Sequence, residues 1–396
     1  MPIDKSDFDS IAEQDLQELI EIGVPEGHKC EYKSALYGYA DADKKEALKD
    51  ISSFANSSGG HLILGIEEHK GIPKALTGLS GIDPDAEILR LEQLVRSGIE
   101  PRITGIRIKA ISLVNGSQAI VVRIPKSWNY PHRISAQNAN RFYLRNSGGV
   151  HEANIDELRR LFMMSSNIRE NIRAFRNTRL DTIISGQGPL RLNGGGRLIL
   201  HIVPLTAFES TEQIDLKYSF SQRDMFRPIG SSGYSSRFNF DGLLIYKGED
   251  PKDGYTQIFR NGILEATKAS LIREREGHRM IPGRAFDKQV FEVLPKYING
   301  LQALGIAAPL VVMLTLEGIE GAYLVVSDRP FDLDGIYAID RPVLYLPEIT
   351  IEEYGSITTY QSAMRPAFDA LWNAIGFVAS RYFDEQNVWI GDKNFK

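Results

Sequence analysis

The sequence predicts an α+β protein of two domains. Three observations carry that expectation: helical and strand periodicities alternate along the first 165 residues, a glycine-rich break follows near residue 190, and a second run of strands and helices fills the remainder. At 396 residues with 42% hydrophobic side chains, the chain exceeds a usual single domain and can supply two cores.

The elements follow in order. Ser6 to Ile22 spaces Phe8, Ile11, Leu16, Leu19 and Ile20 for one face of an amphipathic helix. Lys29 to Lys33 reads as a strand, with Lys29, Glu31 and Lys33 on one face and Cys30 and Tyr32 turned to the core. Asp43 to Asn56 is a helix stopped by Gly59-Gly60, and His61 to Glu67 is a second strand ending in acid. Asp83 caps, and Pro84 opens, a further helix. Ile103 to Leu113 and Gln118 to Ile124 form a hairpin across Asn115-Gly116. Asn154, with Glu157 three residues on, starts a helix by a capping box, and a second helical segment sets Arg169, Arg173 and Arg176 beside Ile168, Ile172 and Phe175.

Residues 166–196 read as a helical connector and glycine-rich linker. The second domain, 197–396, reads as a mixed α/β fold. Its strands are Leu198 to Val203, Phe238 to Tyr246, Tyr255 to Arg260, Leu310 to Leu316 and Ala322 to Val326, its helices Asp287 to Leu304 and Thr358 to Phe383. No catalytic constellation stands out there, and the charged run Arg273 to Arg279 suits self-pairing on a solvated surface. Sensing, partner binding and dimerisation all remain open for it.

One cysteine rules out an internal disulfide framework and a multi-cysteine zinc site. With no signal-like or membrane-spanning run, the expectation is a soluble cytoplasmic protein. The glycines match no phosphate loop of the GxxxxGK[S/T] type.

The chemistry concentrates in Glu26, Glu31, Lys33 and Glu67. Glu26 has the opposite strand parity from Glu31, so the two meet only if the chain bends near Gly27. Three carboxylates drawn together repel unless a cation neutralises them, which points to Mg²⁺ or Mn²⁺ on Glu26, Glu31 and Glu67, with Lys33 balancing charge on a phosphate. The same spacing also suits a solvated Glu31–Lys33 pair.

The chain is mildly acidic, at net −5, but has no aspartate or glutamate between Pro101 and His151. That stretch holds Arg107, Lys109, Arg123, Lys126, Arg133, Arg141, Tyr143 and Arg145 interleaved with aromatics, a composition suited to phosphates and unpaired bases. RNA with single-stranded or looped parts is the natural partner.

From about Glu26 to Phe162 the chain resembles the Schlafen-type AlbA_2 domain, also called a divergent AAA-4 domain. The resemblance rests on Glu31-Tyr32-Lys33, the run from Ile51 to Gly60, Leu62 to Glu67, and Arg141-Phe142-Tyr143-Leu144-Arg145. Nuclease members carry two glutamates five apart before a lysine and a third acid closing the Gly-Ile strand, which the resemblance carries onto Glu26, Glu31 and Glu67. The third acid is usually aspartate; here Glu67 is followed by Glu68, and either could serve. The resemblance implies a metal-dependent endoribonuclease acting on structured RNA such as tRNA, in defence or stress, and a homodimer is expected for gripping a folded RNA. Two other classes stay open: a nucleotide (ATP) binding transcriptional regulator using the Asn56 to Gly60 turn, and a non-catalytic nucleic-acid binding module.

Overall fold

The structure, a computed structural model, describes residues 1–5, 8–136, 139–208, 213–249, 252–325 and 336–391, with backbone alone at 164–166. Ser6 and Val326, two of the expected element ends, lie outside the described residues. The chain divides into two compact units, Met1–Arg169 and Glu170–Lys396.

In the first unit the elements are α1 (Glu13–Ile22), β1 (Cys30–Lys33), α2 (Asp41–Ala55), β2 (Gly60–Leu64), β3 (Ile66–His69), β4 (Ile72–Leu76), α3 (Pro84–Gly98), β5 (Ile99–Glu100), β6 (Arg107–Ser112), β7 (Gln118–Ile124), β8 (Arg133–Ile134), β9 (Arg141–Asn146) and β10 (Gly149–Glu152). Four strands pair in the order β1-β2-β7-β6, four more in the order β10-β9-β8-β5, and β3 pairs with β4 alone. β1 runs parallel to β2, and the β6–β7 hairpin closes with Ser112 opposite Gln118.

Alternation along β1 divides two cores. Cys30 and Tyr32 are buried with Ile3, Phe8, Ile11, Leu16 and Leu19 on one face of the sheet. α2 covers the other face with Ala47, Leu48, Ile51 and Phe54. Gly59, at φ +65°, and Gly60 let the chain double back from α2 into β2. A Cβ on Gly59 would stand 2.5 Å from the Lys126 nitrogen, and one on Gly60 2.6 Å from the Lys29 carbonyl.

Three expectations in this unit are corrected. The first helix is a 3₁₀ turn at Phe8–Ser10 followed by α1, because Ala12 is extended and breaks the run. The second strand ends at Leu64: Gly65 takes φ +104°, and Ile66 to His69 leave the sheet to pair with β4. The two helical segments after Asn154 are one helix, α4 (Ile155–Ile184), since neither glycine nor proline interrupts it. Its capping box is present as reciprocal bonds between Asn154 and Glu157, each 2.9 Å. The unit division at Arg169 falls inside α4, upstream of the glycine cluster expected to mark it.

The second unit holds β11 (Arg197–Pro204), α5 (Leu216–Ser221), β12 (Ser235–Phe238), β13 (Gly242–Lys247), β14 (Gly254–Phe259), β15 (Leu264–Lys268), β16 (Arg273–Arg275), β17 (His278–Pro282), α6 (Gly283–Ala303), β18 (Leu310–Glu317), β19 (Ala322–Val325), β20 (Val343–Tyr345), β21 (Ile349–Ile351), α7 (Ile357–Ala363) and α8 (Arg365–Asn373). An antiparallel sheet runs β12-β13-β14-β15-β11-β18-β20, with β21 also on β18, and β16, β17 and β19 make a second sheet. α6 and α8 bury Phe286, Phe291, Leu294, Tyr297, Phe368 and Trp372 against it.

Here the expected strand Phe238 to Tyr246 is a hairpin turning at Asn239, whose carboxamide oxygen accepts from Gly242 N. The expected closing helix is two short ones, with Pro366 in the first turn of the second. The charged run Arg273 to Arg279 is the β16–β17 hairpin, and Arg279 donates to the Gly318 and Glu320 carbonyls. No helix among the described residues is long and apolar enough to cross a membrane.

Candidate functional site

Glu31 and Lys33 leave β1 on the face covered by α2, because strand alternation buries Cys30 and Tyr32 on the other. Lys33 Nζ donates to Glu31 Oε1 at 2.8 Å and stands 3.6 Å from both Asp50 and Glu46 of α2. Arg145 arrives from β9 on the other sheet. Its guanidinium donates to Glu31 Oε2 at 2.8 Å and to the Gly27 and Cys30 carbonyls, lies 3.9 Å from Asp50, and stacks 4.0 Å over Phe54. Tyr37 Oη donates to Asp50 Oδ2 at 2.7 Å.

The bend at Gly27 is present, with φ +146°. It folds Glu26 back so that its Oε1 accepts from Tyr32 N at 2.9 Å, while its own N–H donates to the Gly71 carbonyl. Glu68 accepts from Gly71 N, so Glu26 and Glu68 meet at the same turn. Glu67 is exposed on β3 opposite Ala75, across a bulge from Glu68. The charges that reach Glu26 include those of Glu31 and Glu68. The break at Gly65 is why the parity expected for Glu67 does not hold.

The electrostatics separate these acids. Burial raises the Glu26 carboxyl, partly offset by the Tyr32 N–H and reinforced by Glu31 and Glu68. Burial raises Asp50 too, against the pull of Lys33. For Glu31 burial is again the largest influence, but the Lys33 hydrogen bond and the Arg145 charge together outweigh it and the net shift is downward. Lys33 is held as an ammonium: burial opposes its charge, and Asp50 and Glu31 overcome that.

Residues 26–154 match the family model described as Schlafen, AlbA_2. The chain carries a Schlafen AlbA_2 domain. The match suggests a nucleic-acid-related function. Two solved structures show slight likeness. One is the N-terminal domain of a putative ATP-dependent DNA helicase RecG-related protein from Nitrosomonas europaea, at 22% identity and TM-score 0.27, covering 37% of this chain and 94% of that one. The other is the DIP2311 protein from Corynebacterium diphtheriae, at 15% identity and TM-score 0.25, covering 35% and 29%. No curated protein matches the chain.

Within the AlbA_2 domain the basic stretch divides by what each side chain grips. Arg107 pairs with Asp9 at 2.8 Å, Lys109 donates to the Asp9 and Ile11 carbonyls, and Arg123 donates to the Ile3 carbonyl and to His61. Arg107 and Arg123 both stack on Phe8. These three therefore tie the N-terminal segment to the β6–β7 hairpin, and the expectation that they face phosphate is corrected. Arg145 is also corrected: it is 4% exposed and belongs to the Glu31 network. Tyr143 is buried to 9%, its carbonyl held by Asn56 Nδ2, which also binds the His132 carbonyl. The Asn56 to Gly60 turn thus serves as a clamp between sheets.

Lys126, stacked 4.3 Å over Trp128, and Arg133 are half-exposed and Arg141 is exposed; Arg133 stands opposite Phe142 and Arg141 opposite Ile134, so the two arginines leave opposite faces of the β8–β9 pair. Arg133 pairs with Glu100 and Arg141 with Glu152, pairs that are solvent-screened and readily exchanged. Among the described residues the acids that answer the acid-free stretch include Asp9, Glu31, Asp50, Glu100 and Glu152.

The oxygen donors here are of the type that Mg²⁺ or Mn²⁺ takes, but the arrangement does not fit such an ion. Both Glu31 oxygens accept from cations, and Glu26 and Glu68 each have an oxygen committed to a backbone N–H. Among the described residues no group of three His, Cys, Asp or Glu side chains could hold a metal. The chemistry below therefore uses only the chain's own groups.

Reading the sequence missed Asp50, Glu46 and Tyr37. Asp50 had a signal: it falls on the α2 stripe of Ala47, Ile51 and Phe54, where a charge is out of place.

Proposed function

We propose that the AlbA_2 domain is an endoribonuclease for structured RNA such as tRNA, and that the cluster around Glu31 is its centre. The observation that carries this reading is the convergence of Glu26, Glu31 and Lys33, Asp50, and Arg145 from four separate segments, with more carboxylates than cations. Cleaving a phosphodiester requires moving a proton at the attacking or leaving oxygen and balancing charge on the phosphate. Glu26, whose carboxyl burial raises above its ordinary value, is the group proposed to exchange a proton. Lys33 supplies the ammonium that meets the phosphate, and Arg145 and Asp50 fix its position from behind. Lys126, Trp128, Arg133 and Arg141, each at least partly exposed, are the side chains offered to the RNA backbone and unpaired bases.

The test is incubation of the full chain with total tRNA, with Mn²⁺ and with EDTA, read on a denaturing gel beside Glu26→Gln. Discrete fragments from the wild type and their loss in the variant are expected. Intact tRNA under every condition would refute the nuclease reading. A second reading, a non-catalytic nucleic-acid binding module, is favoured by the full occupation of Glu31 by Lys33 and Arg145. Under that reading RNA binds, is never cut, and is indifferent to chelator.

A further inference from the structure

The antiparallel sheet of the second unit ends on β12, which pairs with β13 on one side and, among the described residues, with no strand on the other. Such an edge presents a row of backbone N–H and C=O groups to another chain. The pairing fixes where its side chains point. Ser236 stands opposite Ile245 and Phe238 opposite Leu243, so both lie on the face that carries the core, while Arg237, opposite Leu244, lies on the other face.

On the core face the rim of the sheet is hollow. Leu216, Lys217 and Phe220 of α5 line, with Phe238, a cavity of about 390 Å³, within the range of about 300–1,000 Å³ typical of pockets that enclose a small ligand. Leu216 and Phe220 are one helical turn apart, and Asp215 fixes the start of that turn by accepting from Lys217 N and Tyr218 N. The Phe220 and Phe238 rings lie 5.5 Å apart, and the Arg223 guanidinium stands 4.3 Å over Phe220. Phe238 is nevertheless 50% exposed, so this apolar wall faces water.

The charges beside the edge are unbalanced. From Gln213 to Asp241 the basic residues are Lys217, Arg223, Arg227 and Arg237, and the acids are Asp215, Asp224 and Asp241. Asp215 is committed to the α5 cap and Asp224 to Arg227, whereas the exposed Lys217 and Arg237 have no acid partner among the described residues.

We propose that β12 and this cavity form a docking site for an extended segment of a partner protein, which adds a strand to the sheet, places an apolar side chain in the cavity and sets acidic side chains beside Lys217 and Arg237. In strand addition the backbone bonds supply affinity and the pockets for alternate side chains supply specificity. Alternation fits this edge, because the side chains of an added strand fall in turn on the cavity face and on the face of Arg237. A nucleic-acid base suits the lining less well, since its polar edges would be buried against Leu216, Phe220 and Phe238. A second copy offering its own β12 brings another Arg237 and no acid.

The experiment selects short random peptides displayed on phage against the full chain, with Phe238→Asp as the counter-target. Peptides that alternate apolar and acidic residues are expected. The best of them, made synthetically and measured by fluorescence anisotropy, should bind Phe238→Asp about tenfold or more weakly. Lys217→Glu should weaken it by about threefold to tenfold, most at low salt. Both side chains are exposed, so thermal unfolding of the two variants should match wild type. Methylating alternate backbone nitrogens of the peptide separates strand addition from pocket filling: one alternate set should abolish binding and the other leave it intact. No peptide enriched over the counter-target, enriched peptides that are basic, or an equal response to both methylated sets would overturn the proposal. Phe238-dependent binding of single-stranded RNA in place of peptide, or Phe238-dependent self-association in light scattering, would also overturn it, assigning the face to nucleic acid or to a second copy.

Discussion

Two buried charge clusters, one in each unit, use similar residues to opposite ends. In the second unit Glu265 is fully buried and accepts from Arg179 at 2.8 and 2.9 Å, from Tyr255 at 2.7 Å, and meets His201 Nε2 at 2.9 Å. Burial would raise its carboxyl, but the Arg179 and His201 bonds outweigh that and hold it well below the usual range. In the first unit Glu26, Glu31, Glu46 and Asp50, four carboxylates, share two cations, Lys33 and Arg145, and two of the acids are pushed up. A closed balance holds a fold together. An excess of one sign, kept partly open to water, stores a proton and a charge for use on a ligand. Of the two, the first unit's cluster carries such an excess, and the proposed function rests on it.

Substitutions can break this contrast, beginning with the largest effect. Glu265→Ala strands Arg179 and should cost about 3–5 kcal/mol in urea unfolding, with RNA cleavage per folded molecule unchanged. Arg145→Met should cost a similar ~3–5 kcal/mol, because Glu31 and Asp50 lose a wholly enclosed partner, and should abolish cleavage as well. If Arg145→Met left both stability and cleavage intact, the network would not be the domain's brace.

A pH series sharpens the comparison. The folded chain holds the Glu26 proton more tightly than the unfolded chain. Stability tied to that proton is therefore full in acid and lost as pH rises through the raised value. Glu31 behaves oppositely: its ion pairs stabilise above the ordinary carboxylate range and fail as pH falls through the lowered value. The unfolding midpoint of Glu26→Gln minus that of wild type should thus climb from acid to neutral pH, and that of Glu31→Gln should fall. Matching trends would show that the two carboxyls are not distinct. The smallest effect is expected at the surface. Arg141→Glu should weaken RNA binding by about threefold to tenfold at low salt, with a salt slope shallower by about one, and leave folding unchanged.

What the sequence displayed, and what it hid, follows from the range of each interaction. Local signals held: the Asn154–Glu157 box, the Asp83-Pro84 start and the Asn115-Gly116 hairpin all depend on neighbours within a few residues. So did the alternation of β1, which puts Glu31 and Lys33 on one face. The expectations that failed depend on partners far along the chain. Arg145 reaches Glu31 across 114 positions and Arg107 reaches Asp9 across 98, so arginines in an acid-free stretch looked unpaired. Glu67 was misplaced by a single backbone feature, Gly65, whose positive φ ends one strand and starts another. Asp50 was visible only as an anomaly on an apolar stripe, whose meaning depends on Lys33 and Arg145 arriving from two other strands.

The most direct test sets Glu31→Gln beside Glu265→Gln in one assay, measuring tRNA cleavage and tRNA affinity on the folded fraction of each. Cleavage should vanish in Glu31→Gln with affinity kept within about threefold, and persist in Glu265→Gln despite its weakened fold. Wild-type cleavage by Glu31→Gln would contradict the assignment of the first cluster as the working centre.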